Sequence, residues 1–442
     1  MNKNDTTVIF QNAGIVGAGG AGFPTYAKID KRVKTMILNC AECEPLLKLD
    51  QQLLAEKALE IIRAFKQIAD SIGAEELIIG IKKSFKLTIA SLLAYLGDYP
   101  EIRLGLLDEI YPAGDEIVLI YELTGKVIPP GHLPLESGIA VFNVETIYNA
   151  YCCFTNKDPV TEKWVTVAGE VKNPVTVRVP LGISASLVVK AAGGSTIDDP
   201  VYFFGGPMMG SVGSLQAPIT KTTNAILVLP ENHLLVNKKR RTASLDLKRA
   251  AACCCQCMMC TDLCPRYLLG HPVEPHRFMQ AAVYKDIQQP DIFLKTLFCP
   301  SCGLCENFAC RQGLSPRSLM ADYKAGLRNS GVRQPSGIMP LSVKPDRKYK
   351  QVKVKRLLSR LDLLKYEKDA PMTDISFAPK KVRLLLSQHI GSPSVPVVSI
   401  GDKVEKGQLI AAPGEGLSVA LHASLSGTIN EITKHYIEVG IS

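Results

Sequence analysis

Ten of the 14 cysteines fall between residues 253 and 310, and eight of these stand at spacings that hold iron–sulfur clusters. Cys254, Cys257, Cys260 and Cys264, followed by Pro265, are separated by two, two and three residues, the run used for [4Fe-4S] clusters in bacterial two-cluster proteins. Cys299, Cys302, Cys305 and Cys310 have gaps of two, two and four, so their last step is one residue longer. Two-residue gaps turn three successive thiolates toward one cubane, while the fourth cysteine, carried onto a following helix, reaches the other cluster. The expected ligand sets are therefore Cys254, Cys257 and Cys260 with Cys310, and Cys299, Cys302 and Cys305 with Cys264. The alternative, two four-cysteine zinc sites, calls for separated pairs of cysteines with a long spacer, which runs of three fit poorly. Cys253 and Cys255 flank Cys254, cannot turn to the same cluster with it, and read as spare thiols. His271 and His276 are not needed, because both cubanes are already complete.

A second chemistry lies near the start. The apolar run at residues 8–10 reads as a strand leading to Gly17-Ala18-Gly19-Gly20-Ala21-Gly22-Phe23-Pro24-Thr25, with Lys28 beyond. Backbone N–H groups of such a loop can approach a phosphate closely, and a helix N-terminus behind it favours the negative charge. Gly17, Gly19 and Gly22 also satisfy the dinucleotide pattern, with Glu42 and Glu44 about where a ribose-binding acid would stand. Pro24 argues against a plain Rossmann turn: the helix is expected to start nearer the proline itself, which suits a first helical position. Residues 36–38 read as a buried strand that ends in Asn39-Cys40-Ala41-Glu42-Cys43-Glu44-Pro45, a polar cluster where open α/β sheets place ligands. Cys40 and Cys43 form a C-x-x-C pair open to a dithiol reading, but a packing role for them, with function at Asn39, Glu42 and Glu44, is favoured.

The elements that must position these groups follow from periodicity. Residues 51–71 read as a helix, 76–81 as a strand, 87–96 as a helix and 102–106 as a strand, an alternation that implies a parallel α/β sheet. Residues 164–171 and 175–179, joined by Lys172-Asn173-Pro174, read as a hairpin, followed by a helix at 185–192 and the loop Gly205-Gly206-Pro207-Met208-Met209-Gly210. The two methionines are expected to pack on a neighbouring domain or a bound cofactor rather than to ligate metal. Helices are expected at 274–285 and 290–297, between the cysteine sets. The lysine-rich stretch 336–370 reads as a mobile linker, and the glycine turns and short strands beyond residue 400 as a small β sandwich.

The length of 442 residues allows two to four domains at roughly 100–200 residues each, with a core apiece. Ligand-spaced cysteines, and a first ten residues without a signal peptide's apolar core, lead us to expect a reducing cytoplasm. No run reaches the ~18 apolar residues of a membrane span. The net charge of +9 gathers at Lys238, Lys239, Arg240, Arg241, Lys248, Arg249 and in residues 344–368. Such runs are solvated faces or suit an acidic redox partner; nucleic acid is not expected, because no reading motif accompanies them.

The loop at residues 17–28, the segment 39–45, Gly114-Asp115-Glu116 and Phe142-Asn143-Val144-Glu145-Thr146 together resemble the flavin-binding domain shared by the FMN subunit of respiratory complex I and RnfC proteins. The resemblance runs over most of residues 1–151. It implies FMN on the glycine loop and lysine, with NADH docking on the flavin, and Gly17, Gly19, Gly20, Lys28, Asn39, Glu42, Glu44, Asp115, Glu116, Asn143 and Thr146 as site residues. Asp115 departs from the family's paired glutamates, and the aromatic residues that sandwich NADH there are not recognisable in this chain. Residues 164–210 resemble the β-grasp SLBB domain of the same families. The C-terminal segment resembles a biotinyl/lipoyl-type barrel-sandwich hybrid, without a lysine in the turn Gly414-Glu415-Gly416 that its carrier relatives would modify, so a docking role is expected of it.

The expected fold class is multidomain, α/β plus α+β. It comprises a flavin-binding Rossmann-like domain (1–155), an SLBB β-grasp domain (160–232), a helical ferredoxin-like di-[4Fe-4S] domain (240–332), a linker (333–375) and a barrel-sandwich hybrid (376–442). RnfC proteins place the sandwich first. A flavin domain first and the sandwich last is the order of the PduS-type cobalamin reductases of propanediol-utilisation microcompartments, which the chain resembles throughout. The resemblance implies electrons passing from NADH through FMN and two [4Fe-4S] clusters to a corrinoid, free or on its adenosyltransferase, with no catalytic acid, base or nucleophile. It also implies a cytoplasmic protein, within a bacterial microcompartment and touching its proteins, with a homo-oligomer left open. Two alternatives remain at this point: an RnfC-like subunit docking on a membrane redox complex, and a non-catalytic iron–sulfur scaffold.

Overall fold

A computed structural model of the chain describes residues 2–285 and 288–441. It opens on a helix, Lys3–Asn12, rather than the strand expected at residues 8–10. Asn2 and Asp5 close a capping box on its first turn, at 3.0 and 3.1 Å. Thr6 and Phe10, four apart, then face inward, and Phe10 stacks on Phe154 at 5.3 Å. The glycine loop therefore leaves a helix, not a strand. It is closed on itself by a Val16–Pro24 bridge and by the Gly17 N–H donating to the Phe23 carbonyl at 2.9 Å. After Pro24 the chain makes a single 3-10 turn, Thr25–Lys28, not the α-helix expected there. The turn that follows Pro24 thus brings no α-helix N-terminus to the loop.

The parallel sheet is present, in the order Ile102–Leu107, Glu76–Lys82, Thr35–Cys40, Ile139–Asn143. Gly80 and Gly105, paired in neighbouring strands, leave room for the helix Glu116–Thr124: a Cβ on Gly80 would lie 2.9 Å from Leu123. The helix expected over 51–71 is two helices, Leu49–Glu56 and Ala58–Ile72, broken at Lys57.

The second sheet has six strands, with Glu162–Gly169 and Val175–Pro180 forming the expected hairpin. One of its two edge strands, Met372–Thr373, comes from far along the chain. The cysteine region is helical, with Pro275–Tyr284, Pro290–Leu294 and Pro316–Asn329 around its own small core. Residues 381–440 form two small sheets facing each other, the frame of a barrel sandwich.

The lysine-rich stretch read as a linker is a packed strap. Val352–Lys353 pairs with Ile110–Tyr111, and the next helix, Val354–Arg360, buries Val354, Leu357 and Leu358 against Phe203, Met208 and Phe308. The density of lysine and arginine masks this in the sequence, yet Val354, Leu357, Leu358 and Leu361 recur between those charges at helical spacing. Nor does each segment keep a core of its own. One apolar cluster runs from Phe10 and Leu38 through Val165 and Val177 to Leu384 and Val439.

Candidate functional site

A cavity of about 540 Å³ opens at the C-terminal edge of the parallel sheet, within the ~300–1,000 Å³ of cofactor sites. Four parts of the chain wall it. The first segment supplies Gly19, Gly20, Lys28, Asn39, Glu42, Glu44, Asp50, Asp115, Glu116 and Asn143; the β-grasp segment supplies Met209 and Asn224; the second cysteine loop supplies Pro300 and Cys302; and the C-terminal sandwich supplies Ile390.

Gly20 presents its backbone to this space at φ +66°, and a Cβ there would meet no described atom within 4 Å. Gly17, Gly22 and Thr146, expected as contacts, stand behind the wall instead. Gly17 closes the loop, Gly22 packs against Thr222 and His389, and the Thr146 hydroxyl accepts from the Ala18 N–H at 2.9 Å, pinning the loop from below. Lys28 donates to the Val141 carbonyl at 2.7 Å and pairs with Glu116 at 3.2 Å. Asn39 is held by Gly114 and Ala41, both at 3.0 Å, and Asn143 donates to Asp50 while capping the helix Val144–Asn156.

The three acids at the mouth of the sheet border the cavity, and each is also tied to the protein around it. Glu42 accepts from the Asp50 N–H at 2.9 Å, capping the helix Leu49–Glu56, and burial raises its pKa. Glu44 accepts from the N–H groups of Met208 and Met209 at 2.9 and 2.8 Å, and a Cβ on Gly206 would collide with it. It clips the glycine–methionine loop onto the first segment. Asp115 caps its own helix and pairs with Arg266 at 2.9 Å, both side chains nearly buried, which ties the flavin-side turn to the residue just after Cys264-Pro265. Asp50 has its pKa pushed well above the usual carboxylate range by burial and then by the charge of Glu42. Cys43, its thiol pushed to about 12 by burial, accepts from the Gly114 N–H at 2.5 Å; it and Cys40 are free thiols.

Sequence reasoning did not find Asp50, Tyr111, Asn224, Pro300 or Ile390 at this site. A lone Asp in a first helical turn reads as a dipole partner, and the others arrive through tertiary packing. The methionines divide the two expected roles. Met208 is buried against the second cysteine loop, where Asn307 approaches its sulfur at 3.7 Å, and Met209 borders the cavity.

The two cysteine loops cross. Cys260 lies within electrostatic reach of Cys310, Cys254 and Cys257. Cys305 lies within reach of Cys299, Cys302 and Cys264. Each loop turns through left-handed residues two and four places after its first cysteine, at Gln256 and Met258 in one, and at Ser301 and Gly303 in the other. Such turns aim N–H groups inward, and the Ser301 and Leu314 N–H groups meet the sulfurs of Cys299 and Cys310 at 3.4 Å. Two arcs of thiols with N–H donors on the sulfurs fit a cluster apiece. Among the described residues, no group of three or more His, Cys, Asp or Glu is arranged for a single metal ion. Burial pushes the Cys260 and Cys264 thiols up to about 12. Cys253 and Cys255 are exposed. His271 meets the Ile128 carbonyl and His276 meets Thr261, so both serve packing.

The extra residue of the second set has a structural answer. Cys305–Ala309 is a π-helical turn, with the Cys310 N–H donating to the Cys305 carbonyl at 3.0 Å. A π turn absorbs one inserted residue, so Cys310 still swings back toward the other loop. Cys302 also touches the cavity from the opposite side: its carbonyl accepts from the Tyr111 hydroxyl at 2.5 Å.

Four family models match: Nuo51 FMN-binding domain over residues 10–152, SLBB domain over 164–212, 4Fe-4S dicluster domain over 253–315 and RnfC Barrel sandwich hybrid domain over 364–441. The chain is 41% identical to the cobalamin reductase PduS of Citrobacter freundii over 97% of its length and 94% of the relative's. It is 39% identical to that of Salmonella typhimurium strain LT2 with the same coverage. The chain belongs to the PduS cobalamin reductase family. Family membership and the matched domains make it a flavin and iron–sulfur oxidoreductase with FMN and [4Fe-4S] centres. A chain of an NAD+-reducing [NiFe]-hydrogenase in the H2-reduced state shares the fold at TM-score 0.50 and 20% identity, over 76% of this PduS-family chain and 64%, just under two thirds, of that chain. No helix among the described residues is long and apolar enough to cross a membrane.

Proposed function

We propose that this protein takes electrons from NADH and delivers them to a corrinoid, reducing cob(III)alamin and cob(II)alamin to reactivate a B12-dependent enzyme inside a bacterial microcompartment. The observation that carries the reading is the shared wall: one cavity is bordered by Gly19 and Gly20 on one side and by Pro300 and Cys302 on the other. When bound, FMN supplies the exchange between two-electron and one-electron transfer, and the clusters supply the one-electron relay.

The chain's own residues position these groups. Gly19, Gly20, Lys28, Asn39 and Asn143 hold the flavin, with Gly17, Gly22 and Thr146 shaping the loop. Glu42, Glu44, Asp115 and Glu116 border the same space and fix its walls. Cys264, Cys299, Cys302 and Cys305 hold the cluster nearer the flavin, while Cys254, Cys257, Cys260 and Cys310 hold the outer one, whose loop is exposed at Cys257. The cavity's apolar rim at Leu133, Pro134 and Leu135 leaves an approach for a nicotinamide. Corrinoid, free or on its adenosyltransferase, is the acceptor at the outer cluster.

The test is anaerobic mixing of the flavin- and iron-loaded protein with NADH, following flavin bleaching, cluster reduction by EPR and cob(I)alamin formation. All three are expected, in that order. Bleaching by a reduced flavodoxin or ferredoxin but not by NADH would replace the donor; full cluster reduction without cob(I)alamin would remove the acceptor.

A further inference from the structure

The turn at residues 219–224 of the β-grasp segment crosses directly over the glycine loop. Lys221, buried, donates to the carbonyls of Gly14 at 2.7 Å and Ala420 at 3.2 Å, and its N–H donates to the Gln388 side chain at 2.9 Å. The next residue's methyl group would lie 2.8 Å from a Cβ on Gly22. Asn224 ends the turn. Its carbonyl accepts from the Thr166 N–H at 2.9 Å, and its Nδ2 stands 3.2 Å from where a Cβ on Gly19 would be. The backbone of Asn224 is thus held by the neighbouring strand, and its side chain borders the cavity. Its Oδ1 is buried and has no hydrogen-bond partner among the described residues. A buried amide oxygen without a donor is costly, and natural proteins rarely keep one unless something else fills the place.

We propose that Asn224 is a flavin-holding residue contributed by the β-grasp segment: its Oδ1 accepts a hydrogen bond from a ribityl hydroxyl or ring N–H of the bound flavin, clamping it against Gly19 and Gly20. An amide oxygen needs a donor, which an ionised phosphate does not offer. This rests on the flavin reading of the cavity and extends it, since none of the residues the flavin-domain resemblance points to lies in that second segment.

The experiment uses the full-length, iron-loaded protein, anaerobically stripped of flavin and titrated with FMN and, separately, with riboflavin by fluorescence quenching. Asn224→Val is expected to weaken both about tenfold and by the same factor, the loss of one hydrogen bond. Asn224→Asp, which keeps an acceptor, should weaken them less. The flavin-free Asn224→Val protein should melt no lower than the wild type, because the valine removes an oxygen that lacked a partner. A lower melting temperature of the flavin-free variant would mean a structural role and overturn the proposal, as would a loss confined to FMN, which would place the amide at the phosphate. Wild-type binding with unchanged affinity in Asn224→Val overturns this inference alone. Failure of the wild type to bind FMN overturns the flavin reading and this inference with it.

Discussion

The two cysteine loops are built on one plan and placed in opposite surroundings. Each makes the same pair of left-handed turns after its first cysteine. Yet Cys299, Cys302 and Cys305 are buried, and the carbonyls of that loop are taken by Lys324, Arg317 and Tyr111. Cys257 and Met258 of the other loop are exposed. The loops differ, too, in how the chain leaves them: an ordinary short turn carries Cys264, with its N–H on Thr261, and a π turn carries Cys310. The difference teaches that spacing defines a ligand set, while burial decides its task. A centre walled by protein and bordering the flavin cavity is suited to receive electrons, and one open to solvent is suited to release them, because exposure and hydrogen bonding tune cluster potentials.

The strongest way to break this comparison is Cys302→Ala. With the inner set incomplete, NADH should still bleach the flavin, but cob(I)alamin formation should fall to background; continued corrinoid reduction would mean that electrons bypass the buried loop. Next is Cys310→Ala, in which iron counts and EPR should show loss of the outer cluster, although the residue is written beside Cys305. Loss of the inner cluster instead would reverse the ligand pairing. A smaller effect separates the loops without mutation. A chelator under reducing conditions should release iron in two phases, with about half in the fast phase from the exposed set, and Cys310→Ala should abolish that phase. The least effect is expected from Tyr111→Phe, which removes the hydroxyl from the Cys302 carbonyl. Urea unfolding should show a loss of about 1 kcal/mol, with the inner cluster retained.

What could be read from the sequence was local. Thiols at two-residue gaps, the strand at 36–38 ending in Asn39, and the hairpin around Lys172-Asn173-Pro174 depend on neighbours within a few residues, and the structure has these elements. The first helix escapes such reading because Val8-Ile9-Phe10 imitates a strand, although Asn2 and Asp5 already carry the capping signal. The walls of the cavity were less accessible. Glu44 reads as a ligand because nothing within ten residues satisfies it, and its partners, Met208 and Met209, lie 164 and 165 residues away. Asn224 and Ile390 give no local signal, since their significance comes from packing over Gly19 and beside Ala21. The π turn was visible as an extra residue, whereas its consequence, an unbroken path for Cys310 back to the other loop, needed the backbone.

The glycine loop is finished by residues of the sandwich, far along the chain. Ile390 donates its N–H to the Ala21 carbonyl at 3.2 Å, Ala420 donates to Gln11 at 3.0 Å, and Tyr26 reaches the Gly416 carbonyl at 3.4 Å. During synthesis, every cysteine of both clusters leaves the ribosome before these contacts can form. A chain that ended before Ile390 would therefore carry both ligand sets and still lack one wall of the flavin cavity.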